Sequence, residues 1–193
     1  MSRNMLASAP GRICLFGEHQ DYLGLPVMTA AINLRIQIEG TVLDEPVVRL
    51  ELPDIGRREE FNIDTPPAYS DGRDYFKSAV NVVLRSVEKL PGFNGTVRGS
   101  IPINSGTSSS SALVIAWTAL LLKLAEHPRA ADPLFVARLA HAAEVLEFNE
   151  PGGKMDHFAS ACGGVQFIEF KAEPQVTALP LPPGAFVLGD SAE

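Results

Sequence analysis

Residues 101–116 combine a short polar turn with the start of a long apolar segment, and this layout suits anion binding. A helix start carries unpaired N–H groups and the positive end of the helix dipole, so small residues there allow a phosphate to approach the backbone closely. The hydroxyls of Ser109 and Ser110 are also suited to a magnesium ion. The Gly-Lys-Ser/Thr pattern of a Walker loop is absent, and a serine-rich cap on a buried helix remains the alternative interpretation.

The segment 17–24 gathers polar side chains at a density that is unusual for a connecting loop. Two carboxylates, an imidazole and a phenol lie within five residues: Glu18, His19, Asp21 and Tyr22. On an irregular backbone these groups can converge on a ligand that presents several hydroxyls. A solvated surface loop is the alternative, since loops commonly collect such residues.

The hydrophobic pattern predicts the elements that must position these two segments. Predicted strands cover 6–16 (one bent or two short strands), 27–39, 41–52 (its partner, with Gly40 at or near the turn), an edge strand within 53–71, 95–103, 165–170 and 186–190. Predicted helices cover 74–90, 108–125, 132–148 and 154–160. The helix over 108–125 is apolar around nearly its whole circumference and must therefore be buried. This order predicts an α+β fold with helices packed on one face of a largely antiparallel or mixed sheet.

Length and charge limit the classes of function. A chain of 193 residues, 46% of them hydrophobic, can build one substantial core, so we expect a single full domain. The net charge of −7 and an isoelectric point near 5.1 argue against a basic nucleic-acid-binding face. Cys14 and Cys162 have neither a disulfide framework nor metal-ligand spacing, and the N-terminus lacks a signal pattern, so we expect a cytoplasmic protein. The longest apolar run, 112–122, is too short to span a membrane.

Three segments together resemble the galactokinases of the GHMP kinase superfamily. Residues 9–12 (APGR) and 17–22 (GEHQDY) resemble the N-terminal galactokinase signature. Residues 102–112 (PINSGTSSSSA) resemble the phosphate-binding serine loop of the superfamily. Residues 153–157 (GKMDH) resemble the galactokinase segment that holds the catalytic aspartate. The three segments occur in the order of the family, which makes coincidence improbable.

The resemblance implies ATP-dependent phosphorylation of a small-molecule hydroxyl by direct in-line transfer with Mg²⁺, and it favours a sugar as the substrate. Asp156 is then the base or orienter beside the attacking hydroxyl, and Arg12 is its charged neighbour, which suits a reaction that develops charge on the transferring phosphoryl group. Ser110 and Glu144 match the magnesium ligands. The remaining implied roles are sugar binding by Glu18, His19, Asp21 and Gly153, and nucleotide binding by Asn104, Ser105, Gly106, Thr107, Ser108, Ser109 and Ser110.

The residues themselves leave an alternative for the main roles. Asp156 can simply cap the helix after Gly153, and Arg12 can be a surface strand residue. Glu144 can be an exposed helix acid, although its apolar flanks favour a partly buried face, where an unpaired carboxylate is costly and a metal would offset the cost. His141 and His157 are predicted to be structural.

Five positions depart from the galactokinase pattern: Gln20 stands for threonine, Asn104 for glycine, Thr107 for leucine, Ser111 for alanine and His157 for glutamine. The changes in the serine loop bear on nucleotide affinity, and the others fit a sugar kinase whose substrate is not galactose. A mevalonate-type kinase on the same scaffold is one alternative, which the carboxylates of Glu18 and Asp21 disfavour because the substrate is an acid. A non-catalytic ligand-binding module is the other.

The resemblance also implies an architecture, namely a GHMP kinase N-terminal ATP-binding domain over residues 1–193 with the fold of the ribosomal protein S5 domain 2-like group. The last residues would lead toward a C-terminal domain, absent here, that carries a third, glycine-rich motif. We therefore expect that domain, in the same protein or in a second subunit, as a partner beside ATP and a sugar, with neither nucleic acid nor membrane. Alone, the chain is expected to fold without turning over, because both walls of the site are needed to exclude water.

Overall fold

A computed structural model describes residues 3–70, 72–102, 105–180, 184–187 and 189. The strands are β1 (Asn4–Phe16), β2 (Val27–Leu43), β3 (Val47–Leu52), β4 (Arg57–Asn62), β5 (Gly92–Gly99), β6 (Val165–Glu169) and β7 (Gln175–Leu179). The α-helices are α1 (Tyr75–Leu84), α2 (Ser109–Leu124), α3 (Pro133–His141) and α4 (Met155–Cys162), with short 3₁₀ turns at Asp21–Leu23 and Pro53–Ile55 and a π-helical turn at Ala142–Leu146. Within these residues, none of the helices has the length and apolar character that crossing a membrane requires.

The strands form one mixed sheet in the order β4-β3-β5-β2-β6-β7, with β1 paired to β2. Every pairing is antiparallel except that of β3 with β5. The long strand β2 is the spine, since it pairs with β6 near its start and with β5 near its end. Helices α2 and α4 pack on β1 and β2, and α1 and α3 pack on α2. The predicted α+β fold with a mixed sheet is confirmed.

The central helix α2 is buried as its sequence predicts. Trp117, Leu120, Leu121 and Leu122 are all at most 1% exposed, although they point in different directions around the helix. The indole Nε1–H of Trp117 donates to the backbone carbonyl of Phe76 at 3.0 Å, which satisfies a polar group that burial would otherwise leave unpaired. This bond ties α2 to α1 and fixes the helix whose first turn faces the site.

The prediction that Gly40 marks a turn between two paired strands is wrong. Strand β2 runs through Gly40 to Leu43, and β3 pairs with β4 and β5 instead. Gly40 lies directly opposite Gly95 on β5, and a Cβ at residue 40 would overlap the backbone of that strand. The glycine therefore serves the close approach of two strands, and the chain reverses at the bend between β2 and β3.

Strand β1 is one continuous strand with two register shifts, which agrees with the predicted bend. The first shift lies between Pro10 and Arg12, where a Cβ on Gly11 would meet the carbonyl oxygen of Thr107 at 2.7 Å. The amide of Arg12 donates to that same carbonyl at 3.1 Å. Irregularities of this kind re-aim side chains, and this one joins β1 to the serine loop.

Other predicted elements also differ from the structure. Helix α1 ends at Leu84, short of the predicted 90, and the helix predicted over 132–148 becomes π-helical after His141. The strand β7 at Gln175–Leu179 was not predicted. In the strand predicted over 186–190, the described residues Phe186, Val187 and Gly189 are not in a strand, and the other two positions lie outside the described residues.

Candidate active site

A cleft of about 270 Å³ lies beside the first turns of α2 and α4 and gathers residues from distant segments. It is lined by Arg12 from β1, by Glu18, His19, Asp21 and Tyr22, by Ser111, by Glu144 and Val145, and by Glu150, Pro151, Gly152, Gly153, Met155, Asp156 and His157. The segments that supply these residues begin near positions 12, 18, 111, 144 and 150, so the fold assembles the cleft from pieces spread over most of the sequence.

Arg12 and Asp156 form an ion pair in this cleft. The Nε and Nη2 atoms of Arg12 lie 2.7 and 2.6 Å from Oδ1 of Asp156, and the Nη1 atom donates to the carbonyl of Gly106 at 2.5 Å. The other carboxylate oxygen, Oδ2, accepts from the hydroxyl of Ser108 at 2.5 Å. Arg12 is 7% exposed, whereas the Asp156 side chain is 30% exposed. The carboxylate is thus fixed from two sides and open to the cleft.

A second carboxylate, that of Glu144, is held in a different way. It lies in the π-helical turn after α3, where such turns often mark functional positions. Its Oε2 atom is 2.8 Å from Nε2 of His157, and the two residues are 8% and 1% exposed. Burial by itself would raise the pKa of Glu144, yet hydrogen bonds from His157, Ser110 and Ser111 hold it below its ordinary value.

The pair formed by Glu144 and Ser110 fits a magnesium ion. Within the described parts of the chain, no three His, Cys, Asp or Glu side chains cluster as a metal cage. Mg²⁺ needs no such cage, because it is usually held by one or two carboxylates together with water and substrate phosphates. The buried Glu144 carboxylate and the Ser110 hydroxyl that is bonded to it supply hard oxygen donors at the start of α2.

Asp21 joins the polar loop to the start of α4. Its Oδ2 atom accepts from the backbone N–H of Met155 at 2.9 Å, which satisfies one of the free amides of that helix. A Cβ on Gly153 would overlap the carboxylate of Asp21, so only glycine allows this approach. The contact joins the loop 17–24 to the turn before α4 in the lining of the cleft.

The segment that leads to Gly153 is anchored to residues on both sides of α1. Arg85 donates to Glu147 at 2.7 Å, and the hydroxyl of Tyr69 donates to the same carboxylate at 2.5 Å. Arg73 binds both oxygens of Glu150, at 2.7 and 3.2 Å. Glu150 also lines the cleft, so these contacts set the position of one wall.

Backbone strain is concentrated around the same cleft. Four described residues other than glycine have φ in the left-handed region, and three of them lie in segments that build the site: His19 (61°), Ser108 (59°) and Asn149 (51°). Such conformations cost of the order of 1 kcal/mol or more each and persist when surrounding contacts enforce them. At Ser108 the enforcing contact is visible, since its hydroxyl bonds to Asp156.

Comparison with known proteins identifies the family. The GHMP kinases N terminal domain matches residues 74–164, and the galactokinase galactose-binding signature matches residues 2–41. The chain belongs to the GHMP kinase family. The two matched regions contain the serine loop, Glu144 and Asp156 on one side and Arg12 with the polar loop on the other, which are the segments that meet in the cleft.

Relatives of this GHMP kinase chain include enzymes with two different substrates. The mevalonate kinase of Thermococcus sibiricus is 32% identical over 187 residues, which cover 92% of this chain and 55% of that protein. The galactokinase of Pyrococcus furiosus is 32% identical over 155 residues, covering 80% of this chain and 43% of that protein. The crystal structure of Lactococcus lactis galactokinase complexed with galactose superposes with a TM-score of 0.80 at 25% identity, over 98% of this chain and 53% of that one. The chain thus spans about half the length of these relatives.

Most residues predicted to form the GHMP kinase site meet in the structure. Arg12, Asp156, Glu18, His19, Asp21, Gly153 and Glu144 all line the cleft. Ser109 and Ser110 lie in the first turn of α2, and Ser105, Gly106, Thr107 and Ser108 lead into it, with Ser105 and Thr107 joined through their hydroxyls at 2.6 Å. Asn104, which was also predicted to bind nucleotide, lies outside the described residues.

Sequence reasoning assigned His157 a structural role and gave Ser111 no role. Both line the cleft and both bond to Glu144. The available signal was the position of His157 directly after Asp156, on a helix whose first turn faces the cleft. The other histidine predicted to be structural, His141, packs edge-on against the His157 ring at 5.2 Å and is not among the residues that line the cleft.

Proposed function

We propose that this chain supplies the nucleotide-binding and acceptor-binding half of a sugar kinase, which transfers the γ-phosphoryl group of ATP directly to a sugar hydroxyl with Mg²⁺. The observation that carries the proposal is the convergence on Asp156, whose two oxygens are held by Arg12 and Ser108 beside the serine loop. A carboxylate so held, next to a phosphate-binding helix start, is the arrangement that phosphoryl transfer to a hydroxyl needs.

Asp156 acts on the acceptor hydroxyl. The bonds from Arg12 and Ser108 fix the plane of its carboxylate, while its 30% exposure leaves room for a hydroxyl to donate from the cleft side. The hydroxyl proton passes to Asp156 as the oxygen attacks phosphorus in line with the departing phosphate oxygen. Arg12, bonded also to the carbonyl of Gly106, keeps this carboxylate against the loop that would hold the phosphates.

The proposed phosphate site is the start of α2. The free N–H groups of its first turn and the small residues before it form an anion site. Ser110 and Glu144 are the residues that would hold Mg²⁺, which when bound neutralises charge on the phosphates during transfer. Their place beside the helix start puts them on the phosphate side of the cleft, while Asp156 lies on the acceptor side.

The charge of the cleft favours a neutral polyol as acceptor. Besides Glu144 and Asp156, its walls carry the carboxylates of Glu18, Asp21 and Glu150. Sugar hydroxyls can donate to such oxygens, whereas an acidic substrate would be repelled by them. Mevalonate is nevertheless a second candidate, since a mevalonate kinase matches a larger share of this chain than the galactokinase described above.

A phosphate-transfer screen distinguishes the candidates. The protein that contains this chain is incubated with Mg²⁺ and ATP labelled in its γ-phosphate, together with neutral hexoses, heptoses or mevalonate. We expect label in one or more sugars, with Asp156→Asn as the inactive control. Label in mevalonate alone would overturn the sugar assignment. Sugar binding by calorimetry without any binding of a magnesium–ATP analogue would replace the kinase by a ligand-binding module.

A further inference from the structure

The hydrogen bond between His157 and Glu144 is the starting point. Both residues line the cleft, both are nearly fully buried, and their Nε2 and Oε2 atoms lie 2.8 Å apart. His157 follows Asp156 on α4, whereas Glu144 belongs to the π-helical turn, so the bond joins two elements that carry the two carboxylates of the site.

The environment of the imidazole shows that this bond sets its orientation. The Nδ1 atom of His157 is buried and has no hydrogen-bond partner among the described residues. The only other close polar ring is that of His141, which packs edge-on at 5.2 Å and offers no hydrogen bond to it among the contacts of the described chain. If this position served packing alone, an apolar side chain would be more stable than histidine, because an unpaired buried polar atom is costly.

Glu144 in turn depends on His157 for its geometry. A buried carboxylate is stable when its oxygens accept hydrogen bonds, and here the donors are His157 and the hydroxyls of Ser110 and Ser111. The serine hydroxyls can rotate, and Ser110 is also the proposed ligand of the ion. The imidazole is therefore the most rigid of the donors to Glu144. Groups that hydrogen-bond to a metal-binding carboxylate fix its orientation, and their loss typically lowers metal affinity roughly ten- to a hundredfold.

We propose that His157 is a positioning residue for the metal site: its Nε2–H holds Oε2 of Glu144 so that the carboxylate faces the cleft in the orientation that the magnesium–nucleotide complex requires. This inference rests on the proposed function, because that function supplies the ion and the nucleotide. It assigns to His157 no contact with substrate and no part in the transfer step.

The test measures metal binding directly. Mn²⁺ is titrated, in the presence of a non-hydrolysable ATP analogue, into the protein that contains this chain, and free Mn²⁺ is followed by electron paramagnetic resonance. We expect His157→Leu, which fills the space without a donor, to weaken Mn²⁺ binding about tenfold or more. His157→Gln, whose amide can donate from a similar position, should restore most of the affinity. Ser160→Ala, another buried α4 position whose hydroxyl has no partner among the described residues, should leave it unchanged.

Two further measurements separate the possible failures. In a Glu144→Gln background, removing His157 should weaken Mn²⁺ binding no further, since the partner it positions is gone. Equal Mn²⁺ affinity in the His157→Leu variant and the unmodified protein, with both folded by circular dichroism, would overturn the positioning role while leaving the kinase proposal intact. Failure of the unmodified protein to bind Mn²⁺ with the nucleotide would overturn both.

Discussion

The two carboxylates of the cleft lie on adjacent elements and yet are built in opposite ways. Asp156 is paired with a cation, Arg12, and remains 30% exposed. Glu144 is nearly buried and is held by a histidine and two serine hydroxyls, with no arginine or lysine among its hydrogen-bond donors.

This difference separates two tasks. The charge of Asp156 is balanced by Arg12 within the protein, so the carboxylate is held in place while its exposed part can accept a hydrogen bond from an acceptor hydroxyl. The charge of Glu144 is only hydrogen-bonded, and a bound cation is the natural way to balance it. Under the proposed function, Asp156 marks the acceptor side of the cleft and Glu144 the side that would hold Mg²⁺.

Replacing Asp156 by asparagine is expected to have the largest effect. The amide keeps the shape and a contact with Ser108, but it cannot accept the hydroxyl proton, so kcat should fall by about a hundredfold to ten-thousandfold. Affinity for a magnesium–ATP analogue should change little, because Asp156 lies on the acceptor side. Steady-state kinetics with calorimetry on the same samples checks both values. An undiminished kcat would show that Asp156 takes no part in the transfer step and would contradict the proposed difference between Asp156 and Glu144.

Gly153→Ala should come next. Its Cβ would displace Asp21 from the Met155 amide and so open the wall between the polar loop and α4. A hydrogen bond to a charged group contributes about 1.5 to 3 kcal/mol, so we expect KM for the sugar to rise roughly ten- to a hundredfold. Gly72→Ala is the matched control, because a Cβ there meets no atom within 4 Å. Similar KM values in the two variants would show that the contact does not shape the acceptor side.

The pH dependence of stability should report on His141, which packs against the His157 ring. Burial, together with the nearby His157 and Lys154, lowers the pKa of His141 to about 4. Between the unfolded value of about 6.5 and this folded value, the unfolded chain takes up a proton that the folded chain does not. The free energy of unfolding should therefore fall as the pH drops through this window, by about 1 to 2 kcal/mol after allowance for solvent screening.

Urea unfolding at closely spaced pH values, compared between the unmodified protein and His141→Phe, isolates this contribution from that of the carboxylates. The variant should show a shallower decline below neutral pH. Parallel curves would mean that His141 is protonated as easily in the folded state as in the unfolded one.

The smallest effects are expected from Ser111 and Ser108, the serines that donate to Glu144 and to Asp156, respectively. Ser111→Ala removes a donor from buried Glu144 and should lower the free energy of unfolding by about 1 kcal/mol. Ser108→Ala removes the donor from the more exposed Asp156 and should lower kcat several-fold with little change in stability. Kinetics and urea titration of both variants complete the test. The reverse assignment, with stability lost at 108 and rate unaffected, would contradict the proposed difference between the two carboxylates.

The sequence predicts those parts of this arrangement that depend on local pattern. The buried helix α2 and the serine turn before it are legible because one continuous run of small and apolar residues encodes both. The pattern does not predict strand β7, because Gln175–Leu179 is short and alternates poorly. The role of Gly40 was misjudged because the glycine that it faces, Gly95, is brought opposite it only by the sheet.

The contact between His157 and Glu144 could not be predicted from spacing. The helix predicted over 132–148 becomes π-helical at Ala142, and this change re-aims every following side chain. Residues 150–153 then lead to α4 without forming a helix or strand. The family resemblance predicts that Arg12, Glu144 and Asp156 converge, whereas the donors that hold the two carboxylates are visible only in the folded structure.

The left-handed backbone at His19, Ser108 and Asn149 lowers the stability of the fold at positions that build the site. Glycine would relieve each position of about 1 kcal/mol of conformational cost. Selection for heat resistance alone would therefore favour glycine at these three positions. Glycine at residue 108, however, would remove the hydroxyl that donates to Asp156.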